Sequence, residues 1–363
     1  MKNIFFRGKL FVILSGLILG IQPILTAQDL ESQIDRVLEA KFENSGTGAV
    51  FLATKNGKIV YNKAFGLSNL EFQVPMQTDN VFEIGSMTKQ FTAVSILMLM
   101  EEGKLQLEDD ITKYIPEYPT HGHGITIHHL LTHTSGIKSF TSVKGLNAIA
   151  QNEMEPMQVI DFFKDEPMDF APGAEFRYNN SGYVLLGYII EKVSGMSYED
   201  FVEQRIFKKL GMSSSRYASH SEVVPKRASG YHKKEDYSNA RHISFSIPYA
   251  SGALMSTVGD MLVWEEAIKN HVLLGKETTQ MAFTNYTLNN GKPINYGYGW
   301  HIKEFGSVLS YEHGGSIFGF KSMGVYLPKE DVYVIGLSNC DCNSPTEVTR
   351  EIAKIILDAN TVD

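Results

Sequence analysis

Strand-forming sequence in this chain is confined to its two ends, and that separation constrains the fold more than any other feature. From Ala49 to Phe65 the residues alternate with the period of a pleated strand on either side of Asn56-Gly57, a pair suited to the positive φ values of a two-residue hairpin turn. Strand-like stretches return only much later, at Tyr296–Ile302, Lys321–Leu327 and Val332–Ser338, the last two joined by a Pro-Lys-Glu-Asp turn. Half-buried strands need partners, so the expected fold class is α+β. One antiparallel sheet is built from both chain ends and flanked by helices, with a mainly helical region inserted in its middle. The expected sheet region covers about 30–75 and 290–363, and the helical region about 76–289.

The intervening sequence carries helix punctuation. Phe91–Met100 is almost uninterruptedly apolar and too long for an ordinary strand, which predicts a buried helix. Leu30, Ile34, Val37, Leu38 and Phe42 share one face of an earlier helix, and a final helix is expected from Pro345 to Leu357. Thr126, Ser197 and Thr257 are expected N-caps, and Gly103, Gly195 and Gly211 expected helix stops.

At the N-terminus Lys2, Arg7 and Lys9 precede an apolar run from Leu10 to Ile21 and then Leu25-Thr26-Ala27, the pattern of a secretory signal cleaved near Ala27. The run is shorter than the ~20 residues of a membrane span. The expectation is therefore a signal peptide over 1–27, a mature domain over 28–363, a periplasmic or secreted location, and no membrane span after cleavage. The formal charge of −8 and the lack of a basic cluster beyond the first ten residues argue against nucleic-acid partners. Cys340 and Cys342, one residue apart, are expected to sit badly for bonding to each other.

The chemistry begins at Gly85-Ser86-Met87-Thr88-Lys89, heading the apolar helix. Residues three apart share a helical face, so the Lys89 amine can approach the Ser86 hydroxyl. A serine hydroxyl is a weak nucleophile until a neighbour takes its proton, and a lysine does so only where burial or nearby positive charge lowers its pKa. Two more clusters accompany this pair: Arg177-Tyr178-Asn179-Asn180-Ser181-Gly182-Tyr183 ahead of an apolar helix, and His313-Gly314-Gly315-Ser316 between expected strands.

With these motifs the chain resembles the serine beta-lactamase and penicillin-binding superfamily, nearest its class C beta-lactamase, D,D-peptidase and esterase branch. Leu130-Leu131-Thr132-His133-Thr134-Ser135-Gly136, Pro172-Gly173 and Ser251-Gly252-Ala253-Leu254-Met255-Ser256-Thr257 add to the similarity, in the family's order. The resemblance implies that Ser86 is the acylated nucleophile and Lys89 its buried partner, and that Lys89 and Tyr178 together form the base, the Tyr178 phenolate being an acceptor for the Ser86 proton and later a donor to the leaving group. It implies that Asn180 orients Lys89 and a substrate carbonyl, and that His313, Gly314, Gly315 and Ser316 bind substrate. The backbone N–H groups of Ser86 and Ser316 would hold the oxyanion. His313-Gly314-Gly315 departs from the Lys-Thr-Gly of true lactamases, and Asn179 stands where the family often has Ser or Ala.

The resulting expectation is an exported serine hydrolase forming a covalent acyl-enzyme on an ester, amide or D-amino-acid peptide, with no cofactor. Its partners are a small-molecule or peptide substrate, with peptidoglycan a candidate. The alternatives are a class C-like beta-lactamase and a penicillin-binding, peptidoglycan-sensing module without turnover. His121, His123, His128, His129 and His133 invite a zinc reading, but no HExxH motif accompanies them, and surface or capping roles are expected. Trp264, Trp300 and the aromatic run Tyr296–Trp300 are expected in the core.

Overall fold

The computed structural model describes residues 27–359; the expected leader lies outside them except for its last residue. A six-stranded antiparallel sheet forms from β1 (Ala49–Lys55), β2 (Lys58–Phe65), β3 (His301–Phe305), β4 (Val308–Ile317), β5 (Phe320–Leu327) and β6 (Val332–Ser338). Its order is β3-β4-β5-β6-β1-β2. The first strand therefore pairs with the last, from Ala49 opposite Ser338 to Lys55 opposite Val332. Asn56 and Gly57 have φ of 49° and 70°, as the β1–β2 hairpin requires.

Both faces of the central strands are covered, which explains their continuous apolar sequence. Every residue of β6 is buried. On one face Phe51, Ala53, Val325 and Val334 meet Ile34 and Leu38 of α1 (Ala27–Glu39) and Val348 and Ile352 of the C-terminal helix Thr346–Asp358. On the other face Val50, Leu52, Ile335 and Leu337 join the large core of the helical region. At its centre lies α2 (Thr88–Glu101), buried at every position from Thr88 to Leu99, with Phe91 stacked on Trp264 at 4.0 Å. The expected caps form: Thr126, Ser197 and Thr257 each accept the N–H of the third residue on, and Gly103, Gly195 and Gly211 take positive φ.

Two expectations need correction. The strand expected over Tyr296–Ile302 begins only at His301. Tyr296–Trp300 is a loop whose Gly297 approaches Ala282 so closely that a Cβ would lie 2.0 Å from the Ala282 oxygen. Its Tyr296, Tyr298 and Trp300 side chains are nonetheless core, at most 2% exposed, as is Trp264. Cys340 and Cys342 are bonded to each other. The chain turns immediately after β6, with the Asn343 N–H on the Cys340 oxygen, and this brings the two Cα atoms to 5.1 Å, inside the range a disulfide spans.

Candidate active site

Between Val81 and Leu99 only Ser86 is not buried. It sits in a 3-10 turn, Gly85–Met87, that runs directly into α2. Lys89 lies in the first turn of α2, fully buried, with its Nζ 3.3 Å from Ser86 Oγ. The same nitrogen donates to Asn180 Oδ1 at 2.7 Å and to the Ser251 carbonyl oxygen at 2.8 Å. Each contact has a local cause. Asn180 opens the helix α3 (Asn180–Ser194) because Asn179 is its N-cap, its side chain accepting the Gly182 N–H at 2.8 Å. Asn179 thus stands at this position as a helix cap. Ser251 is held against α2 by the Leu254 N–H on Thr88 Oγ1 and by Thr92 Oγ1 donating to the Ala250 oxygen.

Burial in this apolar setting holds the Lys89 amine well below the ordinary lysine pKa. Among the described residues no carboxylate pairs with it. Its three neighbours then define its protonation chemistry. Asn180 Oδ1 and the Ser251 oxygen can only accept, so a neutral amine gives both hydrogens to them and turns its lone pair toward the Ser86 hydroxyl.

Tyr178 lies with its ring 4.8 Å from Lys89 Nζ. Its hydroxyl is buried without a full hydrogen bond. Burial raises its pKa and the neighbouring Ser86 hydroxyl lowers it by less, so the net shift is upward. The expected phenolate is therefore disfavoured: desolvation, which lowers the pKa of Lys89, raises that of Tyr178.

Strand β4 supplies the opposite wall. The two-residue turn Phe318-Gly319 makes Ile317 and Phe320 the hydrogen-bonded pair, so Ser316 opposite Lys321 is a non-bonded pair whose N–H faces away from β5. That edge packs on Gly85, where a Cβ would lie 2.9 Å from Ser316 N. Gly315 is required by a similar approach, since its Cβ would stand 2.0 Å from the Ile84 oxygen, whereas a Cβ on Gly314 would meet nothing nearer than 3.3 Å. Ser86, Asn180 and Ser316 line a cleft of about 390 Å³ whose apolar wall includes Phe140, Leu146, Ile243, Ile317 and Phe318.

His313 does not line that cleft. It is 2% exposed, with Nε2 3.1 Å from the Tyr296 hydroxyl and Nδ1 2.7 Å from the Gly314 oxygen. These partners suit one neutral tautomer, Nδ1 donating and Nε2 accepting, and burial together with His301 and Lys89 holds its pKa well below the usual histidine range. The residue expected to bind substrate is therefore placed away from the cleft lining, with its ring centroid 6.1 Å from that of Tyr178. Ser251 was absent from the residues expected at the site. Its contribution is a backbone oxygen, which side-chain identity does not announce; the Ser251–Thr257 motif was the available signal. The clustered histidines take separate tasks: His129 closes a capping box with Thr126, His128 bonds the Tyr298 hydroxyl, and His133 packs beside Tyr178.

Comparison with known proteins places the chain in a family and a fold. A family model described as Beta-lactamase matches residues 34–357. A penicillin-binding protein of Bacillus subtilis (strain 168) is 29% identical over 347 residues, covering 90% of this chain and 75% of that one. Among solved structures, the octameric penicillin-binding protein homologue from Pyrococcus abyssi is 30% identical with a TM-score of 0.78, covering 91% of this chain and 77% of that one. The D-stereospecific amidohydrolase from Streptomyces sp. is 26% identical with a TM-score of 0.77, covering 88% and 97%.

Proposed function

The chain belongs to the Beta-lactamase family, and from that membership we propose that it is an exported serine hydrolase that acylates Ser86 and cleaves amides or peptides of D-amino acids. The observation that carries this reading is the buried Lys89 amine, bonded to two groups that can only accept and facing Ser86 Oγ with its third direction.

In the proposed reaction the Ser86 hydroxyl gives its proton to neutral Lys89 as Oγ attacks the acyl carbonyl carbon. The carbonyl oxygen becomes an oxyanion between the N–H groups of Ser86 and Ser316. Tyr178 donates its phenolic proton to the leaving nitrogen as the C–N bond breaks, and the Lys89 ammonium returns a proton to Tyr178. Water then attacks the acyl-enzyme, passes a proton to Lys89, and Ser86 Oγ leaves with a proton. Asn180 holds Lys89 and offers its amide Nδ2 to the substrate.

The substrate class is supported by the similarity to a D-stereospecific amidohydrolase and by the apolar wall formed by Phe140, Leu146 and Ile243, which suits an apolar acyl side chain. The inward-bonded His313 does not supply the cation of the lactamase Lys-Thr-Gly motif; the cation beside Ser316 in this cleft is Lys321, whose Nζ lies 2.8 Å from Ser316 Oγ. The secretory pattern of residues 1–27 supports export.

The test uses wild type and Ser86→Ala with a fluorophosphonate, a fluorescent penicillin, D- and L-amino-acid amides, p-nitrophenyl esters and a cephalosporin. The expected result is labelling at Ser86 and faster turnover of D- than L-amides. Undiminished labelling of Ser86→Ala would remove the nucleophile, and cephalosporin turnover exceeding that of every amide would replace the substrate class.

A further inference from the structure

One residue grips the chain on both sides of Tyr178, and no step of the reaction above uses it. His133 follows the short helix Ile127–Leu131, has a left-handed φ of 58° and is 1% exposed. Its carbonyl oxygen accepts the Arg177 N–H at 3.0 Å, and its ring Nδ1 accepts the Asn179 N–H at 3.1 Å. The backbone N–H groups of the two residues that flank Tyr178 are therefore both tied to this residue. The imidazole also lies beside the Tyr178 ring, with centroids 4.4 Å apart and planes tilted by 41°, and 4.8 Å from the Tyr296 ring.

Because Nδ1 accepts, the ring proton resides on Nε2, and that atom is buried without a partner. A side chain present for packing alone would avoid an unpaired buried N–H. Phenylalanine or leucine would fill the space but strand the Asn179 N–H instead. Histidine combines what no apolar residue can: an aromatic ring beside Tyr178 and an acceptor for the backbone next to it.

We infer that His133 is a positioning residue that aims the Tyr178 hydroxyl at the leaving group, so that amide cleavage depends on it more than cleavage of an activated ester does. The inference rests on the reading of Tyr178 as proton donor. An amide nitrogen leaves only after gaining a proton, whereas p-nitrophenolate departs as the anion and makes little demand on the donor. Loss of aim therefore slows one reaction and spares the other, which general damage to the fold would not do.

The experiment compares a matched amide and p-nitrophenyl ester of one D-amino acid across wild type, Tyr178→Phe, His133→Phe, His133→Ala, His133→Asn and the double variant Tyr178→Phe/His133→Phe. Circular dichroism and melting curves identify the folded variants. Asparagine tolerates a left-handed φ and can place Oδ1 where Nδ1 stood. For His133→Phe or His133→Ala, whichever is folded, kcat on the amide should fall by roughly 30- to 100-fold, the order expected for misaligned groups, with KM within about threefold and the ester slowed less than about fivefold. His133→Asn should retain most amide activity, and His133→Phe should add little in the Tyr178→Phe background. Equal losses on amide and ester, or a full additional loss in the double variant, would overturn the positioning role. Unchanged amide turnover in Tyr178→Phe would instead overturn the donor reading, so the two failures are distinguishable.

Discussion

Replacing Gly85 by alanine should disable the site while leaving the fold largely intact, and both effects can be sized. Gly85 has φ of 52°, a conformation that costs an L-residue ~1–2 kcal/mol. Its new Cβ would lie 2.9 Å from Ser316 N, 3.1 Å from Ser316 C and 3.2 Å from Ser316 O. These are backbone atoms of an interior strand, so no rotamer change relieves the contact, and overpacking adds about 1–3 kcal/mol. Together about 2–5 kcal/mol, these should lower the melting temperature of a domain this size by roughly 3–7 °C. What must yield is the Ser316 peptide, whose N–H is a proposed oxyanion donor, and loss of one such donor costs ~10²–10³ in kcat. Gly57→Ala is the control. It has φ of 70° and nothing within 4 Å of its would-be Cβ, so it should lose about 1 kcal/mol with kcat unchanged. Steady-state kinetics on a p-nitrophenyl ester with thermal melts of both variants decide the matter. A folded Gly85→Ala enzyme with kcat within about threefold of wild type would refute the placement of the oxyanion donors.

The reactive form has a neutral Lys89, and burial lowers its pKa, so acylation should be lost as pH falls through that depressed value and be complete well below pH 10.5; a pH profile rising only above pH 10 would contradict this. Glu265 is buried, with its pKa raised to about 8 from 4.5. Because the fold retains a proton that the unfolded chain has already released, stability should be greatest below about pH 4.5 as far as this group is concerned, and fall as pH rises to about 8. Glu265→Gln should remove that decline, gaining on the order of 2–4 kcal/mol at pH 8.5 in urea unfolding, and no gain there would refute it. Asn339 is fully buried, accepting the Gly48 N–H at 2.7 Å and donating to the Ser229 and Leu67 oxygens at 2.9 and 3.1 Å. Asn339→Leu should cost about 3 kcal/mol in the same assay, a loss under 1 kcal/mol counting against it.

Sequence alone determined what depends on neighbours in the chain. The Asn56-Gly57 hairpin, the caps at Thr126, Ser197 and Thr257, and the approach of Lys89 to Ser86 follow from turn geometry and the helical repeat, which act over a few residues. The pattern of strands at both ends also required a sheet that closes the chain on itself, and β1 against β6 is that closure. Tertiary structure decided everything that depends on groups distant in sequence. It set the Ser251 oxygen and Asn180 Oδ1 on Lys89, across 162 and 91 residues, and by burying that amine lowered its pKa. It turned His313 inward onto Tyr296, bent Tyr296–Trp300 into a loop, and folded the turn after β6 tightly enough to join Cys340 to Cys342. Desolvation is the common reason: a pKa, a tautomer or an unpaired hydroxyl depends on how much water remains around it, and that is set by the packing of the whole chain.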